Sequence, residues 1–297
     1  MSGLTNGRQP FPVGCCITSG SFMPQSGKAS NQNEDKVTRL VDEMNRLLSS
    51  GYDFAELTVG ALVQLNAAEF EQLKEQMKAD RLTIPVFNSF IPPTLKLTGP
   101  DVRTQEIDAY VALAMSRIQA VGGEIIIFGS GAARRAPEAF SKEQGMEQIK
   151  DFLRLCDRHA QQYGIVVAIE PLNNKECNMI NRVGEALDLA RELSLQNVRV
   201  LADAYHMHLE KEPLEVIPQA VADRMLAHVH YAEFDRSFPD GSNEEGVDLA
   251  GLLSVLQTSG YRGRISAECM VADAAAASGK SLGYVQSLIT QMKERGD

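Results

Sequence analysis

Short apolar runs alternate with longer stretches whose apolar residues recur at helical spacing, nearly from one end of the chain to the other. The longer stretches place apolar side chains three and four residues apart, which indicates amphipathic helices. Strands that alternate with helices in this way predict parallel pairing. The apolar runs predict strands at residues 13–18, 52–59, 83–88, 124–128, 165–169, 198–202, 226–231 and 264–267.

Eight strand–helix units in 297 residues predict an α/β fold, a single (β/α)8 TIM barrel that spans 1–297. A doubly wound open sheet is the alternative, because periodicity does not reveal whether a sheet closes. Residues 1–12 precede the first strand and are expected to form a flexible extension. Residues 19–33 are rich in Ser, Gly, Asn and Gln and predict a long loop that could cover the barrel mouth. Asn66 and Glu69 have the spacing of a capping box at a helix start.

The composition limits the kinds of molecule that this protein is expected to bind. A net charge of -10 and a pI near 5.1 argue against nucleic acid, which is normally bound through clustered Lys and Arg. No apolar run approaches the ~18 to 20 residues of a membrane span, so we expect a cytoplasmic protein with no membrane partner. The five cysteines are odd in number and show no C-x-x-C spacing, which predicts reduced core thiols. The sequence is compatible with a homo-oligomer.

Four side chains that can bind a cation stand at the ends of four successive predicted strands: Glu170, Asp203, His230 and Glu268. The carboxyl ends of all strands in a parallel barrel face one side, so these side chains are expected to converge. A single acid after a strand is commonly a loop residue or a helix cap, but four in consecutive units make that explanation improbable. Three carboxylates and one imidazole suit Mn²⁺, Mg²⁺ or Co²⁺ better than a closed structural zinc site.

Neighbouring residues leave alternatives open. The alternation in His228-Val229-His230 puts both imidazoles on one face of a strand, which suggests one ligand and one supporting residue. Glu56 either lines the barrel mouth or takes part in packing. Residues 128–131, followed by Arg134 and Arg135, form either a backbone nest for a phosphate group or a solvated turn.

Motifs in the second half resemble those of one enzyme family. They are E-P-L-N at 170–173 with Glu176, D-A-Y-H-M at 203–207, H-V-H at 228–230 with Glu233 and Arg236, and A-E at 267–268. These segments are similar to the metal-dependent D-tagatose and D-psicose (ketose) 3-epimerases and, more broadly, to the sugar isomerase and epimerase barrels related to xylose isomerase. The resemblance covers residues 165–270 in register. The first half matches this family only loosely, so the motifs do not specify the sugar or the carbon.

The resemblance implies a role for each matched residue. It implies a xylose isomerase-like TIM barrel that binds one divalent cation, with Mn²⁺ the first expectation and Mg²⁺, Co²⁺ or Zn²⁺ the alternatives. Glu170 and Glu268 would act as the acid–base pair and, with Asp203 and His230, would hold the cation. The residues that would bind the small-molecule sugar are Glu176, His206 and Arg236.

The implied enzyme is an isomerase, of the ketose 3-epimerase or aldose–ketose isomerase type, that moves a proton on a keto-sugar through a metal-stabilised enediolate. A carbon acid beside a ketone is too weak to lose its proton to a carboxylate unless a cation takes up the charge. The same parts also serve a lyase or dehydratase that acts on a keto-sugar, keto-inositol or 3-oxo-glycoside by β-elimination. An endonuclease-type phosphodiesterase on this barrel is disfavoured by only five His and the negative charge. A non-catalytic sugar-binding module would not need four ionisable ligands.

Overall fold

The computed structural model describes residues 10–17, 35–243, 246–271 and 274–295 and shows a closed barrel of parallel strands. The strands follow one another around the barrel in chain order, and the first pairs with both the second and the last. This closure confirms the predicted (β/α)8 barrel and rules out the open sheet. The strands are β1 (Val13–Ile17), β2 (Phe54–Thr58), β3 (Val86–Asn88), β4 (Ile125–Phe128), β5 (Val166–Ile169), β6 (Val198–Asp203), β7 (Leu226–Tyr231) and β8 (Ile265–Ala267).

Helices surround the barrel and connect its strands. Three of them, α2, α5 and α8, are short and begin within three residues of the ends of β2, β4 and β6, where no separate helix is predicted from the sequence. The helices within the described part of the chain are α1 (Lys36–Ser49), α2 (Val59–Val63), α3 (Ala67–Asp80), α4 (Thr104–Ala120), α5 (Gly131–Arg134), α6 (Lys142–Tyr163), α7 (Val183–Leu193), α8 (Ala204–Leu209), α9 (Val216–Ala222), α10 (Leu249–Thr258) and α11 (Ala274–Arg295). None of these described helices is long and apolar enough to cross a membrane.

The start of α3 illustrates how local sequence sets a helix boundary. The Asn66 side chain accepts hydrogen bonds from the backbone N–H groups of Ala68 and Glu69, and the Glu69 carboxylate accepts one from the Asn66 N–H at 2.7 Å. These contacts satisfy N–H groups that have no partner within the helix. The predicted capping box is therefore confirmed.

The barrel interior changes from apolar to ionisable along the strands. A small apolar cluster fills one end, and it includes Phe54 and Leu201. Two residues further along the same strands come Glu56 and Asp203, which point to the same face because side chains alternate along a strand. The interior therefore becomes polar towards the carboxyl ends of the strands, where barrel enzymes place their active sites.

Two predicted features lie partly or wholly outside the described residues. The loop predicted at 19–33 lies entirely outside them. Only residues 10–12 of the predicted N-terminal extension are described, and there Phe11 is fully buried, with its ring centroid 6.0 Å from that of Tyr261.

Candidate active site

The structure brings the four predicted cation ligands together at the carboxyl ends of adjacent strands. Glu170 follows β5, Asp203 ends β6, His230 lies in β7 and Glu268 follows β8. His230 is in register with Asp203 in β6, which places these two side chains at one level of the barrel, and with Ser266 in β8, two residues before Glu268. One donor atom from each of the four residues lies within 4.8 Å of the others.

The donor atoms suit a single divalent cation. Nδ1 of His230 lies 3.3 Å from Oε1 of Glu170 and 3.6 Å from Oε2 of Glu268. Oδ1 of Asp203 accepts a hydrogen bond from the Tyr205 N–H at 2.8 Å, and its Oδ2 lies 3.6 Å from Nε2 of His206. Oxygen donors with one imidazole nitrogen are a donor set that Mn²⁺ and Mg²⁺ accept.

Arg236 supplies positive charge beside this group of acids. Its Nη1 donates to Oε2 of Glu268 at 2.7 Å and lies 3.4 Å from Oδ2 of Asp203. The guanidinium stacks on the Tyr205 ring at 3.9 Å from the centroid, an arrangement that favours a planar cation. Arg236 therefore contacts two of the predicted cation ligands, Glu268 and Asp203, and also the Tyr205 ring.

The acids of the site differ in their affinity for protons. Burial raises the pKa of Glu268 to about 7, and the negative charge of Glu170 adds to the rise. Burial acts in the same direction on Asp203, but the charges of His206 and Arg236 outweigh it and lower the pKa of that carboxyl. Neighbouring acids with separated pKa values are typical of sites that transfer protons.

The three predicted substrate-binding residues share one edge of the site. Nδ1 of His206 accepts a hydrogen bond from the Asn173 N–H at 3.0 Å, and its Nε2 lies 3.0 Å from Nη2 of Arg236. Oε1 of Glu176 accepts from the Asn173 amide at 2.9 Å and lies 3.4 Å from the Tyr205 hydroxyl. Asn173, the last residue of the E-P-L-N segment, thus connects His206 to Glu176.

Gly129 and Arg134 support Glu170 in ways that the sequence does not reveal. A Cβ atom at Gly129 would lie 2.1 Å from Oε2 of Glu170, so the carboxylate occupies space that only glycine leaves free. Arg134 is fully buried and donates to the backbone carbonyls of Phe128 and Glu170 at 3.0 and 2.9 Å. The guanidinium of Arg134 is therefore bound inside the protein and does not supply the positive charge expected of it in a phosphate nest at residues 128–131. This segment leads into α5.

Glu56 lies inside the barrel and does not line its mouth. It is fully buried, with Oε1 at 2.9 Å from Nε2 of His230 and Oε2 at 3.2 Å from Nε2 of His228. Cys16, Glu56 and His230 form a second group with donor atoms within 4.8 Å of one another. Burial raises the pKa of the Cys16 thiol well above its usual range, which disfavours the thiolate form that binds cations.

Comparison with known proteins agrees with this fold. A family model described as "Xylose isomerase-like TIM barrel" matches residues 44–288. The chain belongs to this family. The predicted resemblance is therefore confirmed, and relatives of this xylose isomerase-like barrel include ketose 3-epimerases.

Two sequence relatives and one solved structure show which proteins this chain resembles. The 3-dehydro-D-guloside 4-epimerase of Escherichia coli (strain K12) is 32% identical over 121 residues, which cover 40% of this chain and 44% of that enzyme. The L-ribulose 3-epimerase of Methylomonas sp. (strain DH-1) is 26% identical over 224 residues, 74% of each chain. The apo crystal structure of 3-keto-D-glucoside 4-epimerase from E. coli has a TM-score of 0.73 and 23% identity, and the match covers 93% of this chain and 99% of that one.

These matches support different conclusions. The E. coli sequence relative is matched over less than half of its own length, and the solved structure shows the shared fold. The relatives are sugar epimerases and inosose isomerases, which supports an isomerase-type enzyme.

Proposed function

We propose that this chain is a divalent-metal-dependent epimerase that moves a proton on the carbon beside a sugar ketone. The observation that carries the proposal is the convergence of Glu170, Asp203, His230 and Glu268, with donor atoms within 4.8 Å of one another. Glu170 and Glu268 reach this point from β5 and β8, which are separated around the barrel by two strands. Two carboxylates that approach from different sides are what an inversion by proton exchange requires.

The chemistry divides between the cation and the protein. A bound cation would supply the positive charge that stabilises the enediolate oxygens of the sugar. Glu170 and Glu268 would flank the reacting carbon, so that one carboxylate removes a proton from one face and the other acid returns a proton on the opposite face. Manganese is our proposed ion because oxygen ligands dominate the donor set.

The remaining polar residues would hold the sugar. Arg236 is fixed by its stacking on Tyr205 and by its bond to Glu268, so its position does not depend on a substrate. His206 and Glu176 lie beside it and present polar atoms to the same space. We propose that these groups bind a sugar carbonyl and hydroxyls and orient the ring over the acid–base pair.

The position of the ketone separates two substrate classes. L-Ribulose and D-psicose 3-epimerases act, by their names, at the carbon beside a C2 ketone. The 32% identity to a 3-dehydro-D-guloside 4-epimerase favours a second candidate, inversion at C4 beside a C3 ketone. Both reactions use the same acid–base pair and differ in how the sugar is placed.

Solvent exchange tests the proposal. Protein reloaded with Mn²⁺ would be incubated in D₂O with D-psicose, L-ribulose or a 3-keto-glucoside, and deuterium located by NMR. We expect deuterium at the inverted carbon and no exchange in the Glu170→Ala and Glu268→Ala variants. Glu71→Ala, at an exposed glutamate of α3, is the matched control and should exchange like the wild type.

Three outcomes would contradict the proposal. They are the absence of any bound divalent metal under saturating conditions, full exchange in either site variant, and a product that has lost water or an aglycone. The last result would identify the β-eliminating lyase, because elimination expels a leaving group where epimerisation returns a proton.

A further inference from the structure

A cluster of buried polar residues lies inside the barrel against the candidate cation site. It consists of Glu56 from β2, Asn88 from β3, His228 and His230 from β7, and Ser266 from β8, and we name it the Glu56 cluster. None of its members is more than 5% exposed. A carboxylate buried this deeply is costly unless donors surround it.

Each oxygen of Glu56 has a partner within the cluster. Oε1 accepts a hydrogen bond from the Asn88 amide at 2.9 Å and lies 2.9 Å from Nε2 of His230. Oε2 lies 3.2 Å from Nε2 of His228, which in turn lies 3.0 Å from the Ser266 hydroxyl. Residues of β3 and β7 therefore hold the Glu56 carboxylate in one position, and Ser266 of β8 supports His228.

The two nitrogens of His230 have different surroundings. Nε2 faces Glu56, whereas Nδ1 faces Glu170 at 3.3 Å and Glu268 at 3.6 Å. An ionised carboxylate can only accept, so the contact with Glu56 requires the hydrogen to be on Nε2. With a cation in the site, the imidazole would be neutral and would carry its one N–H on Nε2, so that Nδ1 would offer a lone pair to the cation.

We propose that Glu56 is a positioning residue that fixes the tautomer and ring orientation of His230, so that Nδ1 points into the cation site. The inference rests on the proposed function, because it assumes that this site holds a divalent cation. Glu56 acts through His230 and does not touch the sugar. Partners of this kind raise the basicity of a ligating histidine, and their loss typically costs about 10- to 100-fold in metal affinity.

The Glu56→Gln variant separates this role from a merely structural one. The glutamine amide is as large as the carboxylate but carries no charge, and it places an N–H₂ group beside side chains that donate hydrogen bonds to Glu56. We expect the Kd for Mn²⁺ to rise by about 10- to 100-fold and the visible absorption of the Co²⁺-loaded protein to change, because the histidine ligand shifts. Glu43→Gln is the matched control, since Glu43 is a buried glutamate of the outer helix α1. Its Kd and spectrum should equal those of the wild type.

The outcomes distinguish the inference from the function on which it rests. If the wild type binds neither Mn²⁺ nor Co²⁺, both are overturned. If the wild type binds the ions and Glu56→Gln matches its Kd within about twofold and its Co²⁺ spectrum, only the role of Glu56 is overturned. If Glu56→Gln does not fold, Glu56→Asp keeps the charge but withdraws the carboxylate by roughly one C–C bond, ~1.5 Å. Wild-type affinity and spectrum in that variant would likewise overturn the role.

Discussion

Gly129 offers a direct test of whether the position of the Glu170 carboxylate controls activity. This glycine follows β4, and a Cβ atom there would lie 2.1 Å from Oε2 and 3.2 Å from Cδ of Glu170. Its φ is not in the left-handed region, so alanine fits the backbone without strain. The Gly129→Ala substitution therefore acts mainly through this one contact.

The size of the effect follows from the distance. Cβ contacts shorter than 3.0 Å are essentially not found in proteins, so the carboxylate oxygen must retreat by about 1 Å. The oxygen is the end of a flexible side chain, and the fold should survive the change. Misplacement of a reacting group by about 1 Å can cost ~100-fold in rate, or about 2.7 kcal/mol. We expect a loss of this order in kcat/KM, together with weaker cation binding.

The assay compares function with stability. Deuterium exchange gives kcat/KM, calorimetric titration with Mn²⁺ gives the cation Kd, and urea denaturation gives the free energy of unfolding. Gly283→Ala is the matched control, because Gly283 is an exposed glycine of α11 with no atom within 4 Å of an added Cβ. It should leave activity unchanged and stabilise the protein by about 0.5–1 kcal/mol. Wild-type turnover and cation affinity in Gly129→Ala would refute the reasoning.

Three further predictions probe separate features. Asn66→Ala removes the capping box and should lower the free energy of unfolding in urea by about 1 kcal/mol, with cation affinity unchanged; equal stability would contradict the cap's role. Arg236→Ala should raise KM more than it lowers kcat in steady-state kinetics, and it should tighten Mn²⁺ binding because a cation beside Glu268 and Asp203 is removed; weaker binding would oppose this. Burial raises the pKa of Cys16 and shields all five cysteines, so iodoacetamide at about pH 8 should label them only after unfolding; rapid labelling of the native protein would contradict their burial.

The extent to which the sequence predicts the fold depends on the length of each element. Helices such as α4 and α6 span several turns, and their apolar stripes are visible in the sequence because the pattern repeats. The short helices α2, α5 and α8 have four to six residues, too few for a repeat to show. Val59 illustrates the result, since it is predicted as the end of a strand at 52–59 but begins α2.

The site is predictable to the extent that it depends on strand ends. Glu170 and Asp203 follow apolar runs directly, and parallel strands all end at one side of the barrel, so their convergence follows from the order of elements alone. Glu56 lies within a strand, where alternation tells only that it shares a face with Phe54.

Whether Glu56 reaches the histidines depends on its height in the barrel, which the stagger between strands determines. Cys16 and Val86 flank Glu56 in the observed register, and with this stagger Glu56 lies beside His228 and His230, whose strand is five strands later in the chain. Without the register between strands, the sequence can therefore indicate the proposed cation ligands. It cannot indicate Glu56, the carboxylate that we propose orients His230. The proposed test of Glu56 thus examines a feature that only the three-dimensional structure reveals.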